Sequence, residues 1–176
     1  MTNTKTYVTE GDITQIPADA LITAINSGGM WFGGIDRAIQ RVAGDLFHSQ
    51  ADAAMPLRNL QTVIARGGAR PDRKIGFRDV VFVVDDLESP LNDVIYTGLE
   101  AASNENYKHI LVPTIRMGVM AGARERTPQE AVRKMACGVS DFLDKYAERT
   151  KLENIQFVVY NNPTLAENMS AVLGNI

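Results

Sequence analysis

The chain has 176 residues, of which 45% are hydrophobic and 22% are charged, a composition typical of one globular domain with its own core. The net charge of −3 and the lack of a basic cluster argue against nucleic acid or an anionic membrane as the main partner. No segment resembles a signal peptide or approaches the ~20 apolar residues of a membrane span. The single cysteine excludes an intrachain disulfide. We therefore expect a single domain, residues 1–176, in the cytoplasm.

Apolar runs typical of strands alternate along the chain with segments whose apolar residues recur at helical spacing. The predicted strands are 7–12, 20–25, 62–65, 80–84, 109–113 and 155–160, and the predicted helices are 35–46, 45–55, 89–102, 127–146 and 163–173. The run at 80–84 is apolar throughout, which indicates an interior strand buried on both faces. This alternation predicts an α/β fold of three layers, α/β/α, around a mixed, largely parallel sheet.

Three of the helices begin with capping signals. Ser89 is predicted to be an N-cap, with Pro90 at the first helical position. Thr127 and Glu130 have the spacing of a capping box, in which each side chain accepts a hydrogen bond from the other residue's backbone N–H. Asn162 precedes a proline and is predicted to cap the last helix.

A glycine-rich segment, residues 26–36, connects the predicted strand 20–25 to the helix that follows it. Its four glycines allow several backbone N–H groups to turn toward one point, and the helix N-terminus adds positive partial charge there. The segment is therefore predicted to bind an anion, and phosphate is the anion that such loops commonly hold. It lacks the Lys-Ser/Thr of a P-loop and the G-x-G-x-x-G spacing of a dinucleotide fingerprint, and an ordinary tight turn remains the alternative.

Two further segments are expected beside this loop. A second glycine-bearing loop, residues 116–122, follows the strand 109–113, and Tyr160 and Asn161 follow the last strand. Ligands of open α/β sheets bind beyond the carboxyl ends of the strands. All three segments come at such ends, which favours the binding site over the ordinary turn.

Five short blocks share one pattern in chain order. Residues 11–14 read Gly-Asp-Ile-Thr, 20–26 read Ala-Leu-Ile-Thr-Ala-Ile-Asn, 33–39 read Gly-Gly-Ile-Asp-Arg-Ala-Ile, 113–120 contain Pro-Thr-Ile and Gly-Val-Met, and 158–161 read Val-Val-Tyr-Asn. Together they resemble the macro domain, a family that binds ADP-ribose, over nearly the whole chain. The first block is quite specific and the others support it.

The resemblance implies a role for each of four side chains. Asp12 would accept a hydrogen bond from the adenine amino group, and Tyr160 would stack on the adenine ring. Asn26 would bind the distal ribose, the one farther from adenine. Asp36 would position or activate a water there, as in the deacylating members of the family. The catalytic residues implied are therefore Asn26 and Asp36.

The resemblance further implies that backbone amides bind the diphosphate, and it requires neither a cofactor nor a metal. These amides belong to Gly28, Gly29, Gly33, Gly34, Gly118 and Val119. The remaining predicted ligand-binding residues are Ile13, Ile35, Arg116, Met117, Met120 and Asn161.

The chain departs from the family pattern at several positions. Thr23 replaces the first Asn of an Asn-Ala-Ala-Asn motif, and Met120 replaces the aromatic that covers the distal ribose. Arg116 and Met117 replace small residues. Because guanidinium geometry suits phosphate, we hypothesise that Arg116 reaches the diphosphate or a terminal 1″-phosphate. The loop containing Trp31 resembles that of the branch that removes this 1″-phosphate, although Trp31 equally fits a role in packing the loop.

Structural roles are the alternatives for the other side chains. Asp12 and Asn26 are residues that turns and caps commonly use, and Asp36 would stabilise a helix dipole in any case. Tyr160 is also compatible with a core position at a strand end. We predict a macro domain that binds ADP-ribose and hydrolyses an ADP-ribosyl ester, O-acetyl-ADP-ribose or ADP-ribose-1″-phosphate. Its partner is then ADP-ribose or an ADP-ribosylated protein or metabolite, and a non-catalytic ADP-ribose reader is the alternative.

Overall fold

Strands and helices alternate along the chain in the computed structural model, which describes residues 3–29, 33–69, 74–118 and 120–176. The strands are β1 Lys5–Glu10, β2 Ala18–Ile25, β3 Thr62–Ala65, β4 Phe77–Val84, β5 His109–Val112 and β6 Asn154–Val159. The helices are α1 Gly34–Ala43, α2 His48–Ala53, α3 Leu91–Asn104, α4 Pro128–Tyr146 and α5 Pro163–Leu173. Each predicted strand and helix is present, with ends that differ by up to three residues.

The strands form one sheet in the order β1-β6-β5-β2-β4-β3. Neighbouring strands run parallel except β3, which pairs antiparallel with β4 at one edge. The prediction of a mixed, largely parallel sheet is confirmed. Because β1, β6, β5, β2 and β4 are parallel, their carboxyl ends all lie at the same edge of the sheet.

Two layers of helices enclose the sheet, as the three-layer prediction requires. On one face, apolar side chains of α3, α4 and α5 form a core with Ala20 and Ile22 of β2. On the other face, Leu21 and Ile25 of the same strand pack with residues of α1 and α2. Successive side chains of a strand point to opposite faces, so β2 contributes to both cores and is apolar almost throughout.

The capping predictions have different outcomes. Helix α3 begins at Leu91 with Pro90 as its N-cap, so the prediction of Ser89 as N-cap is wrong by one position. Proline has no side-chain acceptor, and the N–H of Leu91 instead donates to Glu125 Oε1 at 2.9 Å. Asn162 caps α5 as predicted.

The capping box at α4 is partly formed. Thr127 Oγ1 accepts from the N–H of Glu130, as predicted. The Glu130 carboxylate accepts from the N–H of Arg126 rather than that of Thr127. The box therefore ties down the loop one residue farther upstream.

Replacing Gly138 of α4 with alanine is expected to destabilise the fold by about 1–3 kcal/mol, the usual range for overpacking. A Cβ at Gly138 would lie 2.6 Å from the Asn92 carbonyl oxygen and 2.8 Å from the Ile95 Cβ, so α3 and α4 would have to separate. Chemical denaturation measures the loss, with Cys137→Ala at the neighbouring exposed position as the control. Equal stability of the two variants would contradict this account of the α3–α4 contact.

Among the described residues, no helix combines the length and the apolar character that crossing a bilayer demands.

Candidate functional site

The sheet has a topological switch point between its neighbouring strands β2 and β5. From β2 the chain continues through α1 and α2 to β3 and β4 on one side, and from β5 it continues through α4 to β6 on the other. The two connections diverge and leave a crevice at the carboxyl ends, the place where open α/β sheets bind ligands. Residues 34–36 of the first predicted loop and Arg116, Gly118 and Met120 of the second line this crevice.

The crevice contains two cavities that share a wall. Both cavities are lined by Gly34 and Ile35 at the start of α1 and by Pro113 and Thr114 after β5. We call these four residues the neck. The lobe on one side of it contains Tyr160 and the lobe on the other contains Asp36, so the cleft can hold an elongated ligand with two end groups.

The neck is suited to an anion. Gly33, the N-cap of α1, has φ +86°, a value that side chains other than glycine rarely adopt, and it makes no side-chain capping hydrogen bond. The first N–H groups of an α-helix, here those of Gly34 and Ile35, have no partner within the helix. Among the described residues, no atom lies within 4 Å of a Cβ placed on Gly34, so a ligand can approach the backbone there. The positive end of the helix dipole thus faces the neck.

The Tyr160 lobe has a volume of about 370 Å³. Tyr160, at the end of β6, is 78% exposed, which rules out the alternative of a core position and leaves its ring available for stacking. Asp12 lines the same lobe and caps the short 3-10 turn Ile13–Gln15, with Oδ1 accepting from the Thr14 N–H at 3.0 Å and the Thr14 hydroxyl at 2.7 Å. Ile13 lines the lobe beside it. The capping role fixes the Asp12 side chain at the rim.

The Asp36 lobe has a volume of about 240 Å³ and is largely apolar. Its wall joins four segments of the chain: β2, the start of α1, the loop after β4 and the loop after β5. The residues that line it beyond the neck are Thr23, Ala24, Asp36, Asp85, Leu87, Ile115, Arg116, Gly118 and Met120.

Asp36 lies in the first turn of α1, and only 1% of its surface is exposed. Its Oδ1 is 3.1 Å from Nε2 of His48, the first residue of α2, which is also buried and packs against the Phe82 ring at a tilt of 55°. His48 therefore orients the carboxylate. A held carboxylate that borders a cavity can orient a water or accept its proton.

Arg116 does not extend into the cleft as a free cation. Its Nε and one terminal nitrogen donate to the two oxygens of Asp85, at 2.9 and 2.7 Å, and the other terminal nitrogen donates to both oxygens of Glu125, at 2.9 and 3.0 Å. A last bond reaches the Ser89 carbonyl at 2.7 Å. All three guanidinium nitrogens therefore donate to acceptors of the protein. The Arg116 guanidinium thus binds carboxylates in the structure, which argues against the hypothesis that it binds phosphate.

The charges of this cluster stabilise one another. Burial by itself would lower the pKa of Arg116, but the hydrogen bonds to Asp85 and Glu125 outweigh it and raise that pKa above its ordinary value. Burial by itself would raise the pKa of the Glu125 carboxyl. The hydrogen bonds from Arg116 and from the Leu91 N–H outweigh it, so that this pKa lies below its ordinary value. Arg116 and Glu125 are therefore both ionised at neutral pH.

Several predicted residues lie outside the two lobes. Asn26 is half-buried at the end of β2, where its carbonyl accepts from the Gly29 N–H, so its turn role is what the structure displays. Met117 lines a separate cavity behind the second loop. The other residues outside the described lining are Gly28, Gly29, Gly33 and Asn161. Val119 and Trp31 fall outside the described residues.

Other lining residues were not singled out from the sequence. Asp85 directly follows a predicted strand, which is the signal that could have identified it. Arg41 and Ala38 lie on α1 facing the Tyr160 lobe, at the helical spacing that follows Gly34. In the described ranges, no group of three or more His, Cys, Asp or Glu side chains is placed to hold a metal ion.

No family model matches the chain, but curated proteins do. It is 32% identical over 167 residues to the O-acetyl-ADP-ribose deacetylase of Salmonella gallinarum, covering 89% of this chain and 88% of that protein. The protein of the same name from Escherichia fergusonii is 33% identical over 168 residues, with 88% of each chain covered. The one from Escherichia coli K12 is 28% identical over 173 residues, with 90% and 89% covered.

Solved structures share the architecture. The Trypanosoma brucei macrodomain in complex with ADP-ribose superimposes with a TM-score of 0.78 at 20% identity, covering 96% of this chain and 69% of that one. The Oceanobacillus iheyensis macrodomain with ADP superimposes with a TM-score of 0.71 at 18% identity, covering 98% and 92%. At these identities the likeness shows the fold.

Proposed function

Because the chain belongs to the macrodomain family, we propose that its two-lobed cleft binds ADP-ribose and hydrolyses a derivative that carries a substituent on the distal ribose. The observation that carries the proposal is the arrangement of the cleft: the buried Asp36 carboxylate borders one lobe, the exposed Tyr160 ring borders the other, and the neck connects them. The names of the relatives favour O-acetyl-ADP-ribose as the derivative.

The ligand would lie along the cleft with its chemistry matched to each part. Adenine would enter the Tyr160 lobe, stack on Tyr160 and donate its amino group to Asp12. The diphosphate would cross the neck, where the N-terminus of α1 offers N–H groups to an anion. The distal ribose would occupy the Asp36 lobe.

The residues of the Asp36 lobe support an ester hydrolysis. A water beside Asp36 adds to the acyl carbonyl carbon while the carboxylate accepts its proton. The bond between that carbon and the ribose oxygen then breaks, and the proton passes to the leaving oxygen. ADP-ribose and a carboxylic acid are the products, and His48 holds Asp36 in place throughout.

A non-catalytic reader of ADP-ribose is the second candidate. The burial of Asp36 and its contact with His48 also fit a purely structural carboxylate. Met120, which lines the lobe where the family places an aromatic, gives a looser cover over the ribose. In either case the partner is ADP-ribose or an ADP-ribosylated protein or metabolite, and the cytoplasm stays the predicted compartment.

A calorimetric titration with ADP-ribose, AMP and ATP tests the proposal. We expect micromolar binding of ADP-ribose and much weaker binding of the two comparators, because only ADP-ribose fills both lobes. Absence of ADP-ribose binding would contradict both candidates. A preference for ATP would indicate a different nucleotide-binding function.

Replacing Tyr160 with alanine is expected to weaken ADP-ribose binding by about 1–3 kcal/mol, the usual loss of one base-stacking contact. The ring is exposed, so thermal stability should not change. Tyr160→Phe keeps the ring and serves as the control, with affinity near that of the parent. If Tyr160→Ala binds as tightly as Tyr160→Phe, adenine does not stack there.

A further inference from the structure

The charges around the Asp36 lobe bear on which substituent the distal ribose can carry. Among the described residues that line this lobe, the anions are Asp36 and Asp85 and the only cation is Arg116. Val119 lies between two lining residues in the chain and is uncharged. The electrostatic preference of the lobe for a neutral or an anionic group therefore depends on whether the positive charge of Arg116 is available to a ligand.

The charge of Arg116 is already neutralised twice over. Its guanidinium is bidentate to Asp85 and bonded to both oxygens of Glu125, with the three side chains only 2–3% exposed. One cation held between two carboxylates leaves a net charge of −1 for the cluster. Because all three guanidinium nitrogens donate to these buried acceptors, a phosphate group would have to break a buried ion pair to reach the guanidinium.

The rest of the lobe offers apolar contacts. Ala24, Leu87, Ile115 and Met120 contribute to its wall, and Leu87 is positioned by its N–H donating to Asp85 Oδ1 at 3.0 Å. A small neutral acyl group gains from such a wall, whereas a doubly charged phosphate loses its hydration there without a cation in return.

We propose that the Asp85–Arg116–Glu125 cluster makes this cleft selective for a neutral acyl ester on the distal ribose and excludes a 1″-phosphomonoester. The inference rests on the proposed binding of ADP-ribose. It separates two of the linkages that the sequence left open. Arg116 was predicted from the sequence to bind phosphate, and here it belongs to a cluster that excludes phosphate.

Competition binding with the parent protein tests the selectivity. Labelled ADP-ribose is displaced by unlabelled ADP-ribose, by its 1″-phosphate and by an acetamide analogue of its O-acetyl ester, a neutral substituent of similar size that ester hydrolysis does not remove. We expect the acetamide to compete within about threefold of ADP-ribose, and the 1″-phosphate to be at least about tenfold weaker, a difference of about 1.4 kcal/mol.

A charge variant tests the cause. Glu125→Gln removes one negative charge from the cluster and keeps an oxygen for the Leu91 N–H. It should improve the competition by the 1″-phosphate relative to ADP-ribose by about threefold or more. Glu148→Gln makes the same charge change at an exposed position beyond the far end of α4, whose 19 residues span about 28 Å, and should leave the ratio unchanged.

Each outcome decides one statement. If labelled ADP-ribose does not bind, the proposed function fails and this inference fails with it. If ADP-ribose binds but the 1″-phosphate competes equally well, the inference alone is overturned. The same holds if the protein releases inorganic phosphate from the 1″-phosphate. The inference is also overturned if folded Glu125→Gln has the parent's ratio. If Glu125→Gln does not fold, the ratio measured for the parent decides.

Discussion

Replacing Asp36 with asparagine is expected to lower the turnover of O-acetyl-ADP-ribose by about 10²- to 10⁴-fold, the usual contribution of a general base. Affinity for ADP-ribose should change little, because the amide has the same shape and keeps an oxygen 3.1 Å from His48 Nε2. Turnover is followed by separating the ester from ADP-ribose, and affinity by calorimetry. Loss of turnover with binding kept would support the enzyme over the reader.

The matched control is Asp45→Asn, which removes the same charge at an exposed position outside both lobes. It should keep full turnover. A parent protein that binds ADP-ribose but hydrolyses none of the derivatives would support the reader. Retention of more than about a tenth of the turnover in Asp36→Asn would show that the carboxylate is not the base.

Replacing Arg116 with methionine is expected to destabilise the protein by about 3–5 kcal/mol, since it leaves Asp85 and Glu125 buried without their cation. For a domain of this size, that corresponds to a fall in Tm of roughly 6–20 °C. Thermal unfolding followed by circular dichroism measures it. The loss is large because both carboxylates have already given up their hydration.

Two comparisons isolate the cause. Arg124→Met, on the same loop, removes an exposed guanidinium that donates only to the Leu87 carbonyl in the described contacts, and should cost little. Adding Asp85→Asn and Glu125→Gln to Arg116→Met removes the buried charges together and should recover much of the stability. If Arg116→Met is as stable as Arg124→Met, the two carboxylates must regain water in the variant.

The strand and helix pattern was predictable because it depends on local periodicity. The apolar run of β4 and the alternation that places Ala20 and Ile22 on one face of β2 are visible in the residues alone. The α3 start was missed by one position because its first N–H is satisfied by Glu125, 34 residues away. A cap made by a distant side chain leaves no signal near the helix.

The candidate site was predictable to the extent that it follows strand ends. Gly34, Asp36, Met120 and Tyr160 line the cleft because parallel strands place their carboxyl ends at one edge. Asn26 and Met117 also follow strands, yet they lie outside the described lining, since which way a loop residue points depends on its neighbours in space. The position in a motif does not decide that direction.

By itself, the sequence determined the class of fold, the edge of the sheet that carries the cleft and the resemblance to the macrodomain family, all of which depend on order and spacing along the chain. Only the tertiary structure decided which partner each charged side chain of the site binds. The sequence around Arg116 is the same whether its guanidinium binds a phosphate or a carboxylate. Only the approach of Asp85 and Glu125, 31 and 9 residues away, shows that its donors are used. Electrostatics depends on distance in space, and the chain order does not contain it.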